Sequence, residues 1–259
     1  ITGLRNMGNT CYINSMLQCL FACSQFRDLF LSSKYHRYLN PRYNNISISK
    51  WFNILFRKMY LNGGCSVVPN GFLRACHMLR PDFNIPSDQQ DTQEFLLFLL
   101  DTLHDELSEP TKVANDYPNV LLHDDKSLLV DGKEYDKWFD ESLKNNGLSP
   151  IDDIFQGQIE NSLSCQRCGY TSYNYSTFYV LSLAIPILPP SKAFSRTKRV
   201  IRLEDCINLY TRDEILKDEN AWDCPKCGSQ ASSSQLNSND DNVDKQKKRN
   251  FLVVNGEHK

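Results

Sequence analysis

Two short cysteine units limit this chain more than any other feature. Cys165-Gln-Arg-Cys168-Gly169 and Cys224-Pro-Lys-Cys227-Gly228 have the same form. Two residues between cysteines let both sulfurs reach one tetrahedral ion from a tight turn. The glycine that follows accepts the positive φ that turns amides toward sulfur. Four thiolates without histidine make a closed, structural site, which predicts one zinc ion per chain. The 55 residues from 169 to 223 exceed the roughly 15–20 of a simple ribbon, so a long excursion leaves and returns. Two other readings stay open on these residues alone, a pair of separate redox motifs and a set of buried free thiols.

Ten cysteines in 259 residues are too few for a disulfide scaffold. Ile1-Thr-Gly-Leu-Arg5 is neither a signal peptide nor a transit peptide, so the paired cysteines point to a reducing compartment, the cytoplasm first, with nuclear or endosome-peripheral placement left open. The missing initiator Met predicts a piece of a longer chain. The 31 acids and 29 bases leave no basic excess for nucleic acid. No apolar run approaches the roughly 18 residues that a membrane span needs.

The first 150 residues read as mainly helical. Ile13, Met16, Leu17, Leu20 and Phe21 form one stripe from Cys11 onward, with Asn9 or Thr10 as cap. Similar stripes predict helices near 50–61, 71–79 and 135–144. A further helix carries Phe95, Leu96, Leu99, Leu103 and Leu107, with Ser87 and Gln90 as its capping box and Pro110 as its stop. Residues 111–133 read as loop. The period then shortens to two, which predicts strands over 155–165 and 171–183. Residues 203–216 read as helix in two pieces, and the polar run 229–249 as a disordered insertion.

Cys11 sits where a Gly/Asn-rich loop becomes an amphipathic helix. Free amides and the dipole at a helix N-terminus favour a thiolate over a thiol. The preceding Asn6-Met-Gly-Asn-Thr supplies a side-chain amide and backbone N–H groups suited to an oxyanion. A cysteine taken alone, however, is more often a buried packing group.

The string Gly3-Leu-Arg-Asn-Met-Gly-Asn-Thr-Cys11-Tyr-Ile-Asn-Ser-Met-Leu-Gln18 closely resembles the cysteine box of ubiquitin-specific proteases. Gln89-Gln-Asp-Thr-Gln-Glu-Phe95 resembles that family's Gln-Gln-Asp segment. Phe155-Gln-Gly157, the first knuckle, Phe178-Tyr-Val-Leu-Ser-Leu183, Leu203-Glu-Asp-Cys206 and Trp222-Asp-Cys-Pro-Lys-Cys227 resemble its fingers region. The likeness runs through about residues 1–228 and is nearest to fungal members.

The resemblance implies an α+β, papain-like cysteine protease fold with thumb, palm and fingers, here incomplete and with a four-cysteine zinc ribbon in the fingers. Residues 1–150 would be the helical thumb, 151–228 the β-rich fingers and palm, and 229–259 the insertion and the start of a truncated palm segment. Cys11 would be the nucleophile at the carbonyl of ubiquitin's last glycine, with Asn6 donating to the oxyanion. Asp91 would contact an arginine in ubiquitin's C-terminal tail, with Glu94 as a weaker candidate. Both carboxylates also suit a helix's first turn without any ligand. Cys165, Cys168, Cys224 and Cys227 would hold the zinc. Ubiquitin and ubiquitinated proteins are the implied partners.

A cysteine protease also needs a base beside the thiol. The family supplies it from a C-terminal Gly-His-Tyr string, which none of His36, His77, His104, His123 and His258 resembles. Phe251-Leu-Val-Val254 reads as a stub of the family's next strand. The expectation is therefore that the chain stops inside the catalytic domain and does not turn over substrate by itself. A non-catalytic ubiquitin-binding scaffold and a redox protein are the competing readings.

Overall fold

The computed structural model describes residues 2–43, 47–108, 132–187, 200–216, 221–227 and 246–253. His123, His258, Gly228, the loop read over 111–133 (apart from 132–133) and most of the 229–249 run lie outside them. The chain forms two compact units, Ile1–Gln156 and Gly157–Lys259.

The first unit is helical. It contains α1 (Cys11–Ala22), α2 (Ser24–Leu31), α3 (Ile48–Leu61), α4 (Asn70–Leu79), α5 (Thr92–Leu107), α6 (Gly132–Asn146) and α7 (Pro150–Phe155). The stripe read from the sequence is the face α1 buries: Ile13, Met16, Leu17 and Leu20 all lie inside. Phe26 of α2 is the hub of the core. Its ring meets those of Phe30, Phe52, Phe56 and Phe155 at centroid separations of 5.0, 5.3, 5.9 and 5.4 Å, all near edge-on. Aromatic pairs at these distances each add about 0.5–1.5 kcal/mol beyond area burial. α2 was not legible in the sequence because only a break at Cys23 separates it from α1.

The N-terminal arm is fixed before it reaches Cys11. Leu4 and Val67 form a parallel bridge, with Arg5 N–H donating to Val67 O (2.9 Å) and Val67 N–H to Gly3 O (2.8 Å). The Gln18 side chain of α1 donates to Thr2 O at 2.9 Å. The arm therefore arrives at Asn6 already aligned along the helix it precedes.

Three polar groups hold the helices in register. Glu106 of α5 is fully buried and accepts from Ser47 Oγ (2.9 Å), Ile48 N–H (2.6 Å) and Ser49 N–H (2.9 Å), capping α3 from a distant part of the chain. His104, two residues earlier on α5, places Nδ1 3.0 Å from Asp152 of α7 and Nε2 2.8 Å from Asn146 O at the end of α6. Ser149 caps α7 in a reciprocal box with Asp152.

Among the described residues, the second unit is a four-stranded antiparallel sheet in the order β2-β1-β4-β3 with one helix, α8 (Leu203–Tyr210). Its strands are β1 (Gly157–Cys165), β2 (Thr171–Phe178), β3 (Glu214–Leu216) and β4 (Gln246–Val253). The β1–β2 hairpin keeps the register Gly157↔Phe178 to Ser164↔Thr171. β1 pairs on its other side with β4, from Gln158↔Val253 to Cys165↔Gln246.

Several sequence expectations need correction here. The second strand stops at Phe178 instead of Leu183. The second piece of the 203–216 helix is the strand β3, paired to β4 through Glu214↔Lys248. Residues 246–249, read as part of the polar insertion, form the first half of β4, and Phe251–Val253 continue it as paired strand. Pairing with β1 along its whole length, and with β3 over residues 246–248, outweighs the poor strand propensity of Gln-Lys-Lys-Arg-Asn.

Candidate functional site

The candidate site is built on two neighbouring helix starts, those of α1 and α5. Cys11 is the first residue of α1 and is exposed. Thr10 holds the N-cap position, yet its side chain makes no cap to the helix. Its hydroxyl instead accepts Met7 N–H (3.1 Å) and donates to Asn6 Oδ1 (2.9 Å). The expected cap does not form, and no side chain among the described residues caps the first-turn amides of α1.

Asn6 Oδ1 is held by three donors: Thr10 Oγ1, Thr10 N–H at 3.2 Å and Gly8 N–H at 3.3 Å. With its oxygen so engaged, the exposed carboxamide has a fixed plane. Its nitrogen has no partner among the described residues and remains a donor. Gly8 turns with φ +135°, and a Cβ there would lie 2.8 Å from Pro86 O. Only glycine permits the loop to approach that turn so closely.

Tyr12 follows the cysteine and packs edge-on against Phe95 of α5, with centroids 5.5 Å apart. Burial, and then the neighbouring Cys76, Cys11 and Asp88, push its phenol up to about 12, so it stays neutral. Burial likewise pushes up the thiol of Cys76, which is fully enclosed on α4 and so is an inert packing group. Cys11 is its opposite in exposure.

Asp91, not Ser87, is the N-cap of α5. Its Oδ1 accepts Gln93 N–H (2.6 Å) and Glu94 N–H (3.1 Å). The box read at Ser87 and Gln90 does not form. Ser87 N–H donates to Asn84 O (2.7 Å) within a turn, and the Gln90 side chain donates to Phe83 O (3.3 Å). Asp91 Oδ2 accepts no hydrogen bond among the described residues. Glu94, one turn into α5, lies 3.5 Å from the Arg80 guanidinium, which sits over the Phe83 ring at 4.5 Å. Cys11, Asn6, Asp91 and Glu94 all belong to the first unit.

Of the histidines, His36 is exposed and stacks on Tyr35, with centroids 4.1 Å apart. His77 lies on α4, and its Nδ1 is buried without a partner. His104 is committed to Asp152 and Asn146 as described above.

The second unit gathers the four remaining predicted residues. The sulfur-ligand atoms of Cys165, Cys168, Cys224 and Cys227 all lie within 4.8 Å of one another, a cluster able to hold a metal ion. Cys165 Sγ is 3.6 Å from Cys227 Sγ, and Cys168 Sγ is 3.6 Å from Cys224 Sγ. Burial raises the Cys165 thiol, but the N–H groups of Cys168 and Arg167, with the adjacent sulfurs, more than offset it and bring it to about 7. Gly169 takes φ +71°, the conformation expected after a knuckle. The rings of Tyr170 and Trp222, one beside each knuckle, stack with centroids 6.1 Å apart.

Sequence reasoning missed the partners that fix the loop before Cys11. Asn9 N–H donates to Pro86 O at 2.9 Å, and Asn9 Nδ2 donates to Ser87 O at 2.5 Å. Nothing local in the sequence couples positions so far apart.

Residues 2–247 match the sequence family described as ubiquitin carboxyl-terminal hydrolase. Ubiquitin carboxyl-terminal hydrolase 7 of Saccharomyces cerevisiae is 63% identical over 241 residues, which is 90% of this chain and 22% of that protein. Ubiquitin carboxyl-terminal hydrolase 11 of the same yeast is 55% identical over 229 residues, 88% of this chain and 32% of its own length. Human ubiquitin carboxyl-terminal hydrolase 2 is 34% identical over 229 residues, again 88% of this chain and 35% of its own. The chain thus spans between about a fifth and a third of the curated relatives it matches.

Proposed function

Because the chain belongs to the ubiquitin carboxyl-terminal hydrolase family, we propose that it carries the nucleophile side of a thiol protease cutting isopeptide or peptide bonds after ubiquitin's C-terminal glycine. The observation that carries this reading is the Asn6 carboxamide. Its oxygen is pinned by three donors, its nitrogen has no partner among the described residues, and five residues later an exposed cysteine opens a helix whose N-cap side chain makes no cap.

The Cys11 thiolate attacks the carbonyl carbon, and the C=O pair moves onto oxygen. The Asn6 N–H and the first-turn amides of α1 stabilise that oxyanion. Collapse expels the lysine or N-terminal amine, which leaves with a proton from the general base, and forms a thioester at Cys11. Water, deprotonated by the same base, then releases ubiquitin's carboxylate and restores the thiol. The base is an imidazole supplied from beyond these 259 residues. Asp91 Oδ2 receives the guanidinium of an arginine in the ubiquitin tail, and Glu94 adds negative charge one turn along.

We assign the four-sulfur cluster to zinc. Sulfurs at the usual 2.3 Å around a tetrahedral zinc are separated by about 3.8 Å, close to the two 3.6 Å separations here. A disulfide would need about 2.05 Å. When bound, the ion supplies a structural cross-link between the knuckles.

The test compares residues 1–259 with the full-length protein on ubiquitin–AMC. Hydrolysis by the full-length protein that disappears in Cys11→Ser supports the reading. Ubiquitin binding without hydrolysis favours the scaffold reading. Turnover by residues 1–259 alone would refute the placement of the base.

A further inference from the structure

The loop that carries Asn6 and Cys11 does not stand by itself. It is fastened to the turn that leads into α5. Asn9 supplies both ties, its backbone N–H to Pro86 O and its carboxamide N–H to Ser87 O. The receiving turn is itself fixed. Asn84 holds left-handed backbone with φ 44° and donates N–H to Pro81 O at 2.9 Å. Ser87 N–H returns to Asn84 O, and the Asn84 side chain donates to Asp88 at 3.1 Å. Three residues beyond Asp88 stands Asp91, whose conformation is set by its own capping bonds.

Gly8, immediately before Asn9, is pressed against the same Pro86 oxygen. A residue with a side chain there would push the loop off the turn. Thr10, immediately after, links the loop back to Asn6 Oδ1 through both its hydroxyl and its amide. The chain of contacts therefore runs from the turn, through Asn9 and Thr10, to the carboxamide of Asn6.

We infer that Asn9 is a positioning residue: through Ser87 O it holds the Asn6 carboxamide and the Cys11 helix start in the geometry that meets the oxyanion. The inference rests on the protease reading above. Asn9 touches neither substrate nor nucleophile in this scheme. Its effect reaches the reaction only through where Asn6 Nδ2 stands, and misplacement of a donor weakens transition-state stabilisation more than substrate binding.

The test is a double-mutant cycle in the full-length protein with ubiquitin–AMC. Asn9→Ala and the isosteric Asn9→Asp, which keeps the volume but loses the donor, are each combined with Asn6→Ala. Asn9→Ala and Asn9→Asp are expected to lower kcat by about 10- to 100-fold, below the 10²–10³ lost with a whole oxyanion donor, and to leave KM within about twofold. In the Asn6→Ala background the same changes are expected to cost less than about threefold. A merely structural Asn9 would cost the same in both backgrounds, and that result overturns the inference. So does kcat unchanged in Asn9→Asp. If Asn9→Ala melts early, Asn9→Asp with an unchanged melting midpoint decides. Absence of hydrolysis by the parent, or its survival in Cys11→Ser, sinks the protease reading and the inference with it. Hydrolysis abolished by Cys11→Ser but indifferent to Asn9 sinks the inference alone.

Discussion

The Glu106 carboxylate accepts the backbone N–H of Ile48 at 2.6 Å, so a side chain near the end of α5 starts α3, 58 residues earlier. Neither group has access to water. Removing the carboxylate leaves the amides of Ile48 and Ser49 and the Ser47 hydroxyl without acceptors inside the protein. Glu106→Ala is expected to cost about 3 kcal/mol or more, because each buried donor left unpaired loses about 1–3 kcal/mol. Glu106→Gln keeps one acceptor and is expected to cost roughly half as much. Urea unfolding followed by far-UV circular dichroism measures both.

The His104–Asp152 contact predicts a pH dependence. Burial pulls the imidazole's pKa down, but the Asp152 carboxylate, the Asn146 carbonyl and the nearby Asp105 outweigh it and hold it above the ordinary value. A raised folded value means that the pair's contribution is fully present below the unfolded value of about 6.5 and fades as pH rises through the folded value. The urea midpoint of the first unit should therefore fall on going from about pH 6 to pH 9, and Asp152→Asn should flatten that slope. A midpoint that rises over that range would contradict the assignment.

Metal removal separates the two units. One zinc per chain is expected by plasma emission spectrometry, and Cys168→Ser or Cys227→Ser should abolish it. A strong chelator should strip amide protection from β1 and β2, since the knuckle at Cys165–Gly169 connects them. Amides of α1, α3 and α5 should retain theirs. Full protection of the hairpin in metal-free protein would count against a structural zinc.

Where local pattern decides structure, the sequence was readable. The stripes of α1, α3, α4 and α5 follow from apolar spacing, and both knuckles follow from sulfur spacing. Ser87-Asp-Gln-Gln-Asp91 contains several residues able to cap a helix, and the choice among them depends on the turn at Asn84, which pattern alone does not reveal. Composition alone offers Asn9 or Thr10 as a cap for α1, but Asn6 engages the Thr10 hydroxyl and Ser87 O takes the Asn9 carboxamide. Glu106 and His104 read as ordinary helix residues because their partners at 47–49, 146 and 152 are remote in the chain. β4 was hidden for a related reason. Its first five residues are polar, and only pairing with β1 and β3 makes them a strand.

That pairing has a consequence for how the second unit is made. β1 finds one neighbour across a short turn, at 171–178, and the other only at 246–253. A lone two-stranded hairpin is marginal in water, so β1 and β2 gain lasting support only when β4 pairs along the other edge of β1, and β3 has no other strand partner among the described residues. β4 comes later in the chain than β1, β2 and β3 yet lies between β1 and β3, so among the described strands it is the one that joins the halves. Without β4, the edges of β1 and β3 that it covers would be open to pairing with other strands.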